Sequence, residues 1–393
     1  MNKRSTPLNE ENRILSLDLM RGLALLGILL ANSLHFQYGL FLIPDIHNYY
    51  PLGWIDHIAE GFIRTFATAS FYTLFSFLFG YGMAFLKERL EQQNKPFSSL
   101  YFRRTLILLL VGFIHGTFIW DGDILFIYAL TAFILFFFLK LKERGLLTWA
   151  FLFLFLMALS IASPEDESTL ALDEQLVNYS LEEKEVLTSG SYFDVVSFRL
   201  LADPLGLGIA GDVIINATGM VSVLGMFLLG AFVARKKWLL NVSKHRNLFV
   251  RIWWITLLVG FPCKIAFLFN DTYAFEMLHT TIGGPLVAMF YASSIALLTS
   301  NPKWGKRLQP LAYVGRLSLT NYLLQSLVFT TLFYGYGFGL FNKIGIVSGV
   351  VLVIVFFFLQ IIASRWWLSR YHLGLFEWMW RAGTYLTLPK LRR

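Results

Sequence analysis

Apolar residues in this chain fall into long unbroken runs separated by short polar stretches, with none of the strict alternation of a half-buried strand. A helix needs roughly twenty mostly apolar residues to cross the hydrocarbon of a bilayer. Runs that reach or approach this length lie at about 16–36, 62–86, 104–120, 123–140 and 145–162, and again at about 212–234, 249–269, 279–299, 313–334 and 344–363. The pattern predicts an all-α fold, a polytopic transmembrane helix bundle with about ten spanning helices.

Lys and Arg gather in alternate loops, as the positive-inside rule requires of cytoplasmic segments. Lys3, Arg4 and Arg13 precede the first run; Lys87, Arg89, Lys95, Arg103 and Arg104 follow the second; Lys140, Lys142 and Arg144 follow the fourth. Arg235, Lys236, Lys237, Lys244 and Arg246 follow the sixth, Lys303, Lys306 and Arg307 the eighth, and Arg365, Arg370, Arg381, Lys390, Arg392 and Arg393 close the chain. N and C termini are therefore expected in the cytoplasm. Residues 1–15 form a cytoplasmic tail, 16–364 the transmembrane domain, and 365–393 a basic, tryptophan-bearing interfacial tail. The loop at about 163–203 is outside and acidic, with Glu165, Asp166, Glu167, Asp173, Glu174, Glu182, Glu183, Glu185, Asp194 and Asp203 against Lys184 and Arg199. It is either a lid or a solvated hairpin.

Composition agrees with burial in lipid. Of 393 residues 56% are hydrophobic and 15% charged, against about 25% charged in ordinary soluble domains. The formal charge of +8 is spread over short inter-run clusters rather than one polar face, which argues against nucleic acid as a partner. Cys263 is the only cysteine, so neither an intramolecular disulfide nor a cysteine metal site is expected. No His, Asp or Glu spacing demands a metal, and no cofactor is expected to be bound. The first run lacks a small-residue cleavage site and reads as a retained helix. No internal repeat is visible, which weighs against an inverted-repeat transporter.

Polar side chains inside apolar runs carry the functional signal, because they are costly in hydrocarbon and face a bundle interior. The first run holds Asp18, Arg21, Asn32 and His35. At about 100° per residue Arg21 and Asn32 lie within roughly 20° of each other, with Asp18 and His35 on the same side, so one polar stripe follows the helix, with Arg21 and Asn32 roughly 16 Å apart along the axis. The alternative is an Asp18–Arg21 pair at the helix entrance, with Asn32 bonded to a neighbouring helix. His115 stands near Asp121 and Asp123, either of which could orient its imidazole for proton transfer; packing is the other role for a lone histidine. Arg64, Thr65, Thr68, Ser70, Thr73 and Ser76 suit close helix packing. Lys264 either snorkels or meets Glu276 and His279. Ser318, Asn321, Tyr322 and Gln325 share one helical face too polar for lipid.

Several of these residues stand in motifs. Asp18-Leu19-Met20-Arg21-Gly22 with Gly27-Ile28 and Asn32, Leu74-Phe75-Ser76 with Phe79-Gly80, Gly122-Asp123-Ile124-Leu125 with Tyr128-Ala129, the run Gly315 to Ser326, and Glu377-Trp378 with Trp380 and Arg381 occur in one order along the chain. Together they resemble YeiB-type bacterial membrane proteins. Leu375 departs from the proline of that pattern. The first helix also resembles two groups of transmembrane acyltransferases. In the acyltransferase-3 group a histidine stands where this chain has Asn32. In heparan-α-glucosaminide N-acetyltransferase that position is Asn, and a histidine follows in the next outer loop. His35, His47 and His57 occupy that region here at other spacings.

The resemblance implies a multi-pass protein of the bacterial cell membrane that moves an acyl group from cytoplasmic acyl-CoA, as co-substrate, to an extracytoplasmic glycan or lipid acceptor. Asn32 would stabilise the oxyanion, and His35 or His115 with Asp123 would handle the proton. Asp18, Arg21, Arg104, Arg316, Asn321, Gln325 and Arg381 would form the acyl-CoA site, the guanidinium groups meeting phosphates. The alternatives are a transporter of a small amphipathic solute using the same stripe, and a non-catalytic membrane partner.

Overall fold

The computed structural model describes residues 14–40, 46–163, 167–270 and 272–393, without the side chains of 47, 48, 167–171 and 173. Lys3, Arg4 and Arg13 of the N-terminal tail, the side chain of His47, and in the acidic loop Glu165, Asp166 and the side chains of Glu167 and Asp173 lie outside this set.

The chain is an all-α helix bundle. Its elements are α1 (Leu15–Tyr38), α2 (Ile46–Tyr49), α3 (Trp54–Phe66), α4 (Ser70–Gln92), α5 (Phe97–Phe118), α6 (Leu125–Phe138), α7 (Glu143–Ala158), α8 (Glu167–Ser189) and α9 (Tyr192–Leu201). There follow α10 (Ile209–Arg235), α11 (Arg246–Ile255), α12 (Phe261–Lys264), α13 (Tyr273–Met277), α14 (Gly284–Thr299), α15 (Pro302–Arg316), α16 (Ser318–Phe333), α17 (Ile346–Arg370) and α18 (Leu375–Tyr385). Eight helical stretches among the described residues are long and apolar enough to cross a membrane. The two remaining runs are helical but shorter: α6 has 14 residues and α16 has 16. The last long helix continues through Trp366 and Trp367 to Arg370, so the separate interfacial helix is α18.

Two breaks shape the bundle. At the first, α3 and α4 are joined through Ala67–Ala69, with Ala69 at φ 59°. Carbonyls freed at such a break need donors, because hydrocarbon supplies none. Tyr291 Oη donates to Phe66 O (2.8 Å) and Lys264 Nζ to Thr68 O (2.6 Å). Lys264 also lies 3.2 Å from His279 Nε2, so it pairs with His279 rather than snorkelling. Glu276 instead meets Arg64.

The second break, at Leu317, divides the ninth apolar run into α15 and α16. Asn321 Nδ2 donates across it to Val314 O (3.1 Å) and to Ser364 Oγ on α17 (3.1 Å). Gln360 Nε2 donates to Asn321 O (3.1 Å), and Gln325 Nε2 donates to Gln360 Oε1 (2.9 Å). The polar face of α16 is thus glued to α17.

Backbone contact replaces side-chain packing at the centre. A methyl on Gly80 (α4) would lie 1.9 Å from Phe227 O, and one on Gly230 (α10) 1.9 Å from Phe77 O. The pair Gly22 and Gly315 brings α1 and α15 together in the same way, 2.0 Å from Leu311 O and 1.9 Å from Asp18 O. The acidic loop is helical: α8 and α9 turn back onto the bundle and bury Glu183, Leu187 and Val195.

Candidate functional site

A cavity of about 810 Å³ opens among α1, α4, α5, α15 and the C-terminal segment, at the end of the bundle that carries the basic loops. Arg21, Arg89, Arg104, Arg316, Arg381 and Lys390 line it, against two carboxyls, Asp18 and Glu377. Each cation comes from a different element. Arg21 sits on the second turn of α1 beside Asp18, with Nη1 3.2 Å from Oδ1. Arg104, on α5, stacks its guanidinium 3.7 Å over the Trp380 ring, while Trp380 Nε1 donates to Arg104 O at 2.9 Å. That reciprocal contact docks α18 against α5 and brings Arg381, one residue on, to the cavity.

Glu377 does other work. Its carboxylate accepts from Leu319 N (2.7 Å), Thr320 N (3.0 Å) and the Thr320 hydroxyl, capping α16 from another helix. Burial pushes this carboxyl above its ordinary range, and those hydrogen bonds pull it back. With Glu377 held by α16, the cavity is strongly cationic. Its other wall, Phe75, Leu78, Phe79, Phe85 and Leu86 of α4, is apolar. Such a space suits an amphipathic ligand with several anionic oxygens, since guanidinium groups bind phosphates bidentately. Its size is that of a cofactor-sized ligand rather than a single anion.

Five of the seven residues expected to hold acyl-CoA meet here: Asp18, Arg21, Arg104, Arg316 and Arg381. Asn321 and Gln325 do not line the cavity; their amides hold α16 to α15 and α17, so the donor-binding role expected of them gives way to a helix-bridging one. Arg89, Lys390 and Tyr81 line the cavity without having stood out in the sequence. Arg89 and Lys390 belong to clusters that loop charge alone explains.

The expected catalytic set lies further along the bundle, outside the cavity lining. His115 Nδ1 is 2.8 Å from Asp123 Oδ1, with the two side chains 1% and 2% exposed. Asp123, rather than Asp121, orients the imidazole. Its other oxygen accepts from Phe126 N at 2.8 Å at the start of α6. With Nδ1–H donating to the carboxylate, Nε2 is left as a proton acceptor; it is buried without a hydrogen-bond partner among the described residues. Tyr322 completes the group: its hydroxyl is 3.4 Å from Asp123 Oδ1 and its ring centroid 5.3 Å from that of His115. Tyr322 stands one helical turn beyond the cavity-lining Ser318, about 6 Å along the axis. The cavity and the His115–Asp123 pair are therefore neighbours along α16.

Asn32 and His35 lie on the turns of α1 far from the cavity, both half-buried, and His35 is about 21 Å along the axis from Arg21. His35 is 6.5 Å, ring to ring, from Trp120. It faces the group built by the acidic helices, where Glu183 accepts from Leu40 N at 3.1 Å and Arg199 Nε is 3.6 Å from Asp121 Oδ1. Burial, then the neighbouring Asp121, pushes the Glu183 carboxyl up to about 8. Unfolded, it would release its proton near the ordinary value of 4.5. The folded state binds the extra proton between those values, so stability of the α8–α9 cap falls as pH rises through this window and levels off above it. Thermal unfolding followed from pH 5 to 9 should show that decline in the parent, and a flatter profile in Glu183→Gln.

A family model described as "Protein of unknown function (DUF418)" matches residues 233–387, a segment that contains Arg316, Glu377, Trp380 and Arg381. The "Uncharacterized protein YxaH" of Bacillus subtilis is 34% identical over 396 residues, covering 97% of this chain and 96% of that protein. YeiB of Escherichia coli is 29% identical over 392 residues, covering 94% and 95%. The chain belongs to the YeiB-type family. A third member of this group of relatives, the "Uncharacterized 39.9 kDa protein in amylase 3'region" of Bacillus acidopullulyticus, is 30% identical over 394 residues. The likeness to these relatives spans nearly the whole chain. Its long apolar helices make it a multi-pass chain.

Proposed function

We propose that this protein is a membrane acyltransferase of the bacterial cell membrane, taking its acyl donor, acyl-CoA or a closely similar phosphate-bearing thioester, from the cytoplasm. The observation that carries the reading is the cationic cavity with an apolar wall, lined by Arg21, Arg89, Arg104, Arg316, Arg381 and Lys390. Phosphates would meet the guanidinium groups, and the acyl chain would lie along α4. His115 Nε2 would take the proton of an acceptor hydroxyl or amine from a glycan or lipid. The new bond to the acyl carbon forms as its bond to sulfur breaks, and the proton passes to the departing thiolate, so no other reactant is needed. Tyr322 and Asp123 keep the imidazole in its accepting form. Asn32 would donate to the oxyanion, a role that rests on the resemblance of α1 to the acyltransferases.

Transport of a small amphipathic solute is the second reading, favoured by one observation: the cavity lining stops short of Asn32 and His115, as in a carrier closed on its far side. Purified protein in liposomes separates the two. An acyltransferase releases free thiol from acyl-CoA in the presence of a membrane extract containing acceptors, and His115→Ala lowers that rate by 100-fold or more, on the order of a general base's contribution. Counterflow of chemically unchanged solute, with no thiol released, would favour transport and reject the enzyme.

A further inference from the structure

The group on the outer side of the bundle has features that neither the cavity nor the His115–Asp123 pair requires. Arg199, on α9, has a side chain only 5% exposed, yet none of its three guanidinium nitrogens has a hydrogen-bond acceptor among the described residues. Its partner Asp121 is 3.6 Å away, too far for a hydrogen bond. A buried guanidinium is ordinarily held by bidentate oxygens, because its desolvation is costly. On α1, His35 Nδ1 is likewise buried with no hydrogen-bond partner among the described residues. Trp120, packed on Phe36 at 4.4 Å, stands beside His35, and the Tyr334 ring lies 5.8 Å from the Arg199 guanidinium carbon. Tyr336 is next to Tyr334 and Tyr192, with centroids 5.9 Å and 5.5 Å apart. Asp121 is 23% exposed, so the group can be reached from outside.

We propose that Arg199, Asp121, Glu183 and His35, with the surrounding aromatic rings, form a binding site for a neutral, hydroxyl-rich ligand of the carbohydrate or polyol class. Charge decides the class. Arg199 and Asp121 cancel, and the Glu183 carboxyl, held up to about 8, keeps its proton at neutral pH. An anion entering the site meets Asp121, and a cation meets Arg199. Hydroxyl groups satisfy both, accepting from the guanidinium and from a ring N–H while donating to a carboxylate. Aromatic faces and edges suit the C–H faces of a sugar ring. The α8–α9 pair then contributes half of a site, beyond covering the bundle. The inference touches the acyltransferase reading only in offering a place for an acceptor, and its test is separate.

Saturation-transfer NMR on the full chain in lipid nanodiscs at pH 7, with D-glucose, N-acetyl-D-glucosamine and myo-inositol as neutral probes and D-gluconate as the anionic one, tests it. At least one neutral probe should bind saturably, gluconate should bind no better than glucose, and Arg199→Gln should weaken the neutral probe tenfold or more while leaving CoA binding at the opposite end unchanged. If Arg199→Gln fails to fold, Asp121→Asn serves, with the same expected loss. Absence of binding by every neutral probe, binding indifferent to both substitutions, or tighter binding of gluconate overturns the proposal. Sugar binding without CoA binding rejects the donor cavity alone; CoA binding without sugar binding rejects this site alone.

Discussion

Arg21→Ala and Arg316→Ala should each weaken CoA binding by about ten- to a hundred-fold, because a hydrogen bond to a charged group contributes about 1.5–3 kcal/mol. The two arginines approach the cavity from α1 and from the end of α15, on either side of the close Gly22–Gly315 contact. Both should act mainly on affinity, since they lie away from the His115 imidazole. Equilibrium binding to purified protein at several salt concentrations checks this: the parent's affinity falls with ionic strength, and each variant's salt dependence is shallower. Arg21→Lys should restore only part of the loss, a point charge replacing a bidentate fork.

Alanine at Gly80 or Gly230 should have the largest effect on stability. Each new methyl would lie 1.9 Å from a carbonyl oxygen of the facing helix, and the obstacle is backbone, which no rotamer change relieves. Overpacking ordinarily costs about 1–3 kcal/mol; here α4 and α10 must separate along their whole contact, so the cost should exceed that range. Heating followed by chromatography should show the monodisperse peak lost at temperatures where the parent survives. Gly61→Ala is the control. In α3 its methyl would be 3.9 Å from the Leu268 side chain, ordinary contact, and removing a helical glycine should leave stability equal or slightly higher.

Much of this architecture is written in the one-dimensional pattern, because a bilayer imposes a length and a charge rule that few soluble folds obey. Every long apolar run became helix. The breaks were not legible. Leu317 sits in an apolar-polar mixture that reads as continuous helix, and what divides it is Glu377, sixty residues on, whose carboxyl caps α16. The π-helical turns at Thr256–Gly260 and Leu278–Gly283 likewise depend on tertiary neighbours.

Site residues divide in the same way. Arginines within or beside apolar runs announced themselves by their desolvation cost, and five of the expected residues share the cavity. Asn321 and Gln325 look identical in sequence whether they face a ligand or Gln360; only the partner helix decides. The pairing of His115 with Asp123 over Asp121 depends on how the α5–α6 turn closes, and Asp121 turns instead toward Arg199. The acidic loop was harder still, since an abundance of carboxylates conceals the single one among the described residues, Glu183, that is buried.

A cavity that holds a phosphate-bearing thioester donor must distinguish that donor from its phosphate-free arm. Comparing CoA with pantetheine, which keeps the thiol arm and lacks the phosphates, on the same nanodisc-embedded protein tests it most directly. CoA should bind saturably, weakened by salt and by Arg21→Ala, with pantetheine at least a hundredfold weaker. Equal binding of the two, or no binding of either, would contradict it.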